Sequence, residues 1–153
     1  MAFNEGRTSE GTYFNIRENA FILNIEKRIE ALVGFPILNG EGLQILHYGT
    51  GAEYRPHFDY FNEETPGGRA CTKKGGQRVI TMIFYLNDVE EGGETTLPEI
   101  HLSVSPQRGS VFYFSYFNSL GQVDKKTLHA SMPVTKGEKW VATKWIREHN
   151  YNE

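Results

Sequence analysis

The hydrophobic pattern changes period once along the chain. Between Asn19 and Gly34 the apolar residues Ile22, Ile25, Ile29 and Leu32 recur at helical spacing, with Asn19 able to cap the start and Gly34 and Pro36 able to end it. This predicts a helix over 18–34 whose apolar stripe needs a surface to cover. After Gly40 the pattern becomes short β-rich runs between turn residues: LQILHY, YRPHFDYF, RVITMIFYLN, TTLP, LSVS, SVFYFSYF, TLHASMPV and KWVATKWIR. The stretch Arg78 to Leu86 is apolar on both faces, which suits a central strand covered on each side, one side by the helix. A helix followed by many short strands predicts a mainly β fold with a supporting helix (α+β), a double-sheet jelly roll. One domain spanning 1–153 without internal repeats accounts for the length. Asn62 to Gln77, rich in glycine and charge, reads as a long loop, either a lid over a site or a solvated connection.

Composition narrows the function classes. Sixteen Lys and Arg against nineteen Asp and Glu leave no positive excess for a phosphate backbone, which argues against nucleic acid as partner. Cys71 is the only cysteine, so no intramolecular disulfide can form and a reducing compartment is expected. The N-terminus lacks the apolar core of a signal peptide, and no run of eighteen apolar residues occurs. The expectation is a cytoplasmic protein with no membrane partner.

The chemistry starts at HFDYF, residues 57–61. If this stretch is a strand, His57 and Asp59 point to one face and Phe58 and Tyr60 to the other. Imidazole and carboxylate suit divalent iron, and two histidines with one carboxylate leave open positions on the metal. Among the other histidines, His129 in the late strand-like run TLHASMPV is the strongest candidate for the third ligand. An HxD pair by itself is a weak signal, and on that evidence alone a surface or structural role is favoured. Lys139, ten residues after His129, strengthens it: Lys139, Val141, Thr143, Trp145 and Arg147 share one face of the last strand. A lysine facing a cavity needs an anion, such as the distal carboxylate of a keto-dicarboxylate whose other end binds the metal. Otherwise it is a solvated strand-end lysine.

Five ordered motifs, RTSEGTYF at 7–14, LQILHYGTGAEYRPHFDYF, GGQRVITMIFYLNDVEEGGETTLPE, LHASMPV and GEKWVATKWIRE, together resemble the prolyl 4-hydroxylases, members of the Fe(II) and 2-oxoglutarate-dependent dioxygenases. The resemblance runs from Arg7 to Glu148. It implies a double-stranded β-helix of cupin type, Fe(II) held by His57, Asp59 and His129, and 2-oxoglutarate paired with Lys139. Tyr48 and Thr95 match positions that help seat the cosubstrate. Tyr54, Arg78 and Trp145 match positions lining the peptide-proline site. The implied reaction consumes O2 and 2-oxoglutarate, hydroxylates peptidyl proline at C4, releases succinate and CO2, and is supported by ascorbate as reductant.

Three departures accompany the resemblance. Related catalytic domains usually carry additional helix and strand upstream of the RTSEG motif, so this chain reads as a minimal version or a fragment, which bears on substrate binding. Serine follows "HA" at 131 where glycine is common, and Arg147 stands where some relatives have histidine. Two alternatives stay open at this level: a 2-oxoglutarate dioxygenase acting on free proline, another side chain or a small molecule, and a non-catalytic jelly-roll binding module.

Overall fold

The computed structural model describes residue 6 and residues 8–118 and 120–152, and Arg7 of the first motif lies outside them. Eleven strands and two α-helices occur among the described residues. Strand β1 (Glu10–Phe14) precedes helix α1 (Ala20–Val33); β2 (Leu43–Tyr48) and β3 (Tyr54–His57) precede helix α2 (Pro66–Thr72). Then follow β4 (Arg78–Tyr85), β5 (Glu91–Gly92), β6 (Thr95–Leu97), β7 (Leu102–Val104), β8 (Val111–Ser115), β9 (His129–Ser131), β10 (Val134–Lys136) and β11 (Lys139–Arg147). Two antiparallel sheets, ordered β1-β2-β11-β4-β8 and β3-β9-β6-β7, form the two layers of a jelly roll, with β10 and β5 pairing separately.

Helix α1 lies on the outer face of the larger sheet. Asn19 Oδ1 accepts from the Ile22 amide at 3.0 Å, and Gly34, at φ 74°, ends the helix in the left-handed region that favours glycine. Ile22 packs with Leu43 and Ala142, and Ile29 with Ile80, Met82 and Ile146. The stripe differs from the apolar reading in two places: Leu32 is 53% exposed, and Glu26 is buried within the stripe. Glu26 Oε1 meets Lys144 Nζ of β11 at 2.8 Å, and Oε2 accepts from the Arg17 amide, which lets a carboxylate sit among isoleucines.

Strand β4 lies between β11 and β8, the central position its two-faced apolar run predicts. Ile80 and Met82 face the helix, while Thr81, Ile83 and Tyr85 face the space between the sheets. Tyr48, Leu46, Val141 and Val134 complete the inner core.

Three local expectations change. The strand read through HFDYF ends at His57, and Asp59 lies in the bend that follows. TLHASMPV holds two short strands, and β1 and β5 went unread. Segment 62–77 contains α2, capped by Thr65 Oγ1 accepting from the Gly68 amide and started by Pro66.

Candidate active site

A cavity of about 1380 Å³ opens between the sheets. Beside it His57, Asp59 and His129 bring one ligand atom each to within 4.8 Å of one another. His57 ends β3 and His129 begins β9, and the two are register partners in the smaller sheet. That pairing joins residues 72 positions apart in the sequence. Asp59 reaches the same point because the chain bends after His57: its Oδ1 lies 3.5 Å from His57 Nε2 and its Oδ2 lies 3.4 Å from His129 Nε2.

Backbone carbonyls set the protonation of both rings. His57 Nδ1 donates to Arg55 O at 2.7 Å and His129 Nδ1 donates to Thr127 O at 2.9 Å. A carbonyl can only accept, so in the neutral rings the proton sits on Nδ1 and each Nε2 presents its lone pair beside the carboxylate. Two imidazole nitrogens and one carboxylate oxygen, oriented in this way, fit Fe(II).

The carboxylate is itself held. Asp59 Oδ2 accepts from Thr81 Oγ1 at 2.6 Å and from Trp145 Nε1 at 3.0 Å, and the Tyr116 hydroxyl contacts both Oδ2 and Thr81 Oγ1. Burial alone would raise the Asp59 pKa, but His129 and His57, when their Nε2 atoms carry a proton in place of a metal, donate to the carboxylate and attract it strongly enough to hold the group well below the ordinary carboxylate range. The carboxylate is therefore ionised and ready to ligate.

The same cavity is lined by Lys139, 2% exposed. Its Nζ donates to Gly93 O at 2.6 Å and Ser131 Oγ at 2.8 Å, and lies 5.3 Å from the Tyr48 ring centroid and 5.8 Å from that of Tyr85. Burial lowers its pKa to about 8, with only the Coulomb effect of Glu94 pushing back. Tyr85 donates its hydroxyl to Thr95 Oγ1 at 2.7 Å, so Tyr48, Thr95 and Lys139 line one end of the cavity.

Nearer the metal ligands, Tyr54 stacks on the His57 ring at 3.5 Å between centroids. Arg78 forms a two-pronged ion pair with Glu41, at 2.7 and 2.8 Å, and lies 4.0 Å over the Trp145 ring and 4.8 Å over Phe61. Lys139, Val141, Thr143 and Trp145 all line the cavity as their alternation requires. Arg147 does not: the register shifts between Ile146 and Arg147. Its Nε lies 2.7 Å from Glu41 Oε1, and its Nη1 donates to Cys71 O and Gly76 O, tying down the segment that carries α2.

Sequence reasoning missed several neighbours of these groups. Thr81 had a signal, as the one hydroxyl inside the apolar run VITMIF. Ser131 had one also: two residues after His129 on a strand, it shares that residue's face, so the departure at "HAS" supplies a partner for Lys139. Glu41, Tyr85 and Tyr116 meet the site through long-range register alone.

A family model described as the 2OG-Fe(II) oxygenase superfamily matches residues 43–147. The chain is 40% identical over 164 residues to the probable prolyl 4-hydroxylase 10 of Arabidopsis thaliana, covering 95% of this chain and 55% of that relative. It is 40% identical over 144 residues to the prolyl 4-hydroxylase subunit alpha-1 of Homo sapiens, covering 93% of this chain and 26% of that one. It thus spans about half the length of its plant relative and a quarter of the human subunit. Among solved structures, the viral collagen prolyl hydroxylase of Paramecium Bursaria Chlorella virus-1, in its 2OG complex, superposes with a TM-score of 0.77 at 31% identity over 93% of this chain and 80% of that one. By family model, sequence and fold alike, the chain belongs to the prolyl 4-hydroxylase family of the 2OG-Fe(II) oxygenase superfamily.

Proposed function

We propose that the chain is an Fe(II)- and 2-oxoglutarate-dependent prolyl 4-hydroxylase acting on proline within a peptide. The observation that carries the proposal is one cavity with a ligand triad at one part of its wall and, at another, a buried lysine with no carboxylate within ion-pair distance among the described residues. His57, Asp59 and His129 hold the ferrous ion. The chemistry the ion supplies when bound is the use of O2 to decarboxylate 2-oxoglutarate to succinate and CO2 while the other oxygen atom goes to C4 of the proline ring.

The remaining work belongs to side chains of this chain. Lys139 binds the distal carboxylate of 2-oxoglutarate, replacing the water its ammonium lost on burial, while Tyr48 and Thr95 bound that end of the cavity. Thr81 and Trp145 keep the Asp59 carboxylate turned to the metal. Tyr54, Arg78 and Trp145 shape the place where the target ring lies, with Glu41 holding the Arg78 guanidinium over the indole. Ascorbate would serve as the reductant that keeps bound iron ferrous. The segment 62–77 orders over bound peptide as a lid hinged on the contacts of Arg147.

Incubation of the iron-loaded protein with 2-oxoglutarate and proline-containing peptides tests the reading. The expected result is one added oxygen atom on proline, located by fragment mass spectrometry, in step with succinate. Succinate formed with every proline left unmodified would retain the dioxygenase and reject the substrate.

A further inference from the structure

Part of the cavity wall is made by β1, the edge strand of the sheet that also carries Arg78 and Trp145, and its Gly11 and Tyr13 both line the cavity. The two residues pair with Leu46 and Gln44 of β2, whose side chains face inward, so they share that inward face. Tyr13 is 60% exposed, yet its hydroxyl accepts from Gln44 Nε2 at 2.6 Å, and Gln44 is 2% exposed. Gln44 Oε1 is buried and has no partner among the described residues. A buried amide with half its hydrogen-bonding capacity unused is a cost the fold carries while holding an exposed ring in one place. Beside that ring Gly11 lets Leu46 pack close against the strand: a Cβ there would lie 2.7 Å from Leu46 Cδ2 and 2.9 Å from Ile45 O.

The register gives the spacing. Tyr13, Gln44 and Thr143 lie in one row across β1, β2 and β11, and Trp145, which touches the Asp59 carboxylate, is two residues further along β11. Two strand spacings across and two residues along place the Tyr13 backbone roughly 12 Å from that of Trp145. The Tyr13 side chain shortens this span toward one turn of a polyproline II helix, about 9 Å for three residues. Residues three apart on such a helix project from the same side.

From this placement, and resting on the prolyl hydroxylase reading above, we propose that Tyr13, anchored by Gln44 and flanked by Gly11, is a specificity platform. It stacks against the residue three positions from the target proline in a peptide bound as polyproline II, and it favours a ring there. A flat, pre-fixed aromatic surface suits a pyrrolidine ring, because both partners bring their geometry preset and little conformational entropy is lost on contact.

The test compares two peptides with a single target proline, identical except for proline or alanine three residues from it, made for each side of the target and scored by position-resolved mass spectrometry. Wild-type protein is expected to show about a fivefold lower KM for the proline peptide on one side. Tyr13→Ala is expected to erase that ratio, and Tyr13→Trp, which restores a ring at this exposed position, to keep it. A ratio that persists in Tyr13→Ala would trace the preference to backbone stiffness of the peptide and overturn the platform. Equal KM values in the wild type would overturn it too. Succinate without hydroxylation of any peptide would instead bring down the substrate reading on which the platform rests.

Discussion

Strand β11 carries two buried lysines five residues apart on opposite faces, and the protein treats them differently. Lys144 faces α1 and meets the Glu26 carboxylate at 2.8 Å, a pair closed within the fold. Lys139 faces the cavity, and among the described residues it has within hydrogen-bonding reach only the neutral acceptors Gly93 O and Ser131 Oγ. Burial lowers both pKa values; for Lys144 the Glu26 carboxylate opposes the fall, whereas Lys139 comes down to about 8. A desolvated cation must be compensated somewhere. On the helix side the compensation is part of the structure, and on the cavity side it is left to a ligand.

The largest effect that could break this contrast is on stability. Lys144→Met leaves Glu26 buried without its partner, which is expected to cost about 3–5 kcal/mol in denaturant unfolding. The 2-oxoglutarate affinity of the folded fraction should stay at the wild-type value. A stability change below about 1 kcal/mol would mean that the pair is not what holds α1 to the sheet at this point.

Lys139→Met should show the reverse. Losing the charge-assisted contact to the cosubstrate is expected to cost about 2–4 kcal/mol, or roughly 30- to 1000-fold in Kd for 2-oxoglutarate, measured on metal-loaded protein under anaerobic conditions. Stability should hold or rise, since no carboxylate is orphaned. A variant that unfolds while binding normally would place Lys139 in the same class as Lys144.

The pH dependence follows with a smaller effect. Without ligand, Lys139 is charged below about pH 8 and neutral above it. Only the charged form attracts a carboxylate, so Kd for 2-oxoglutarate should rise about tenfold per pH unit above that point, and stay flat below it as far as this group is concerned. The stability contribution has the opposite sign. The unfolded lysine keeps its proton up to about 10.5, so between about 8 and 10.5 the unfolded chain holds more protons and this group makes the fold more stable as pH rises. A cosubstrate affinity that is unchanged from pH 7 to 9 would remove Lys139 from the anion site.

The contrast also marks what could be read before the fold was known. Strand alternation was enough to set Lys139, Val141, Thr143 and Trp145 on one face, because that periodicity is local. The same rule gave the wrong local form for HFDYF: His57 and Asp59 do converge, but through a bend after β3, a geometry that no period of two describes. Lys144 could be placed on the opposite face, yet nothing in its surroundings names Glu26, which lies 118 residues away in a stripe read as apolar. The helix thus buries a charge at a position where its pattern suggested none, and leaves Leu32 outside. α2 was hidden because glycine and charge in 62–77 read as loop, while the Thr65 cap and Pro66 at the first turn were enough to start a short helix. Beyond these local misses, what escaped the sequence, Glu26 opposite Lys144 above all, was decided by which elements become neighbours.

Asp59 extends the contrast to an anion. It too faces the cavity side, and besides the two histidines its Oδ2 is served by the neutral donors Thr81 and Trp145, so its full compensation is left to a cation from outside the chain. If those donors hold an otherwise free carboxylate in aim, removing one should weaken metal binding without undoing the fold. Thr81→Val keeps the shape of the side chain and removes only the hydroxyl at 2.6 Å from Oδ2. The expected loss is about tenfold in metal affinity, at the low end for an outer hydrogen bond to a ligand, because Trp145 Nε1 remains. A chelator competition titration reads it directly, independent of turnover. Unchanged affinity in Thr81→Val would show that the bend after His57 fixes the carboxylate unaided, and that neutral partners around a buried charge are no guide to where this protein expects a ligand.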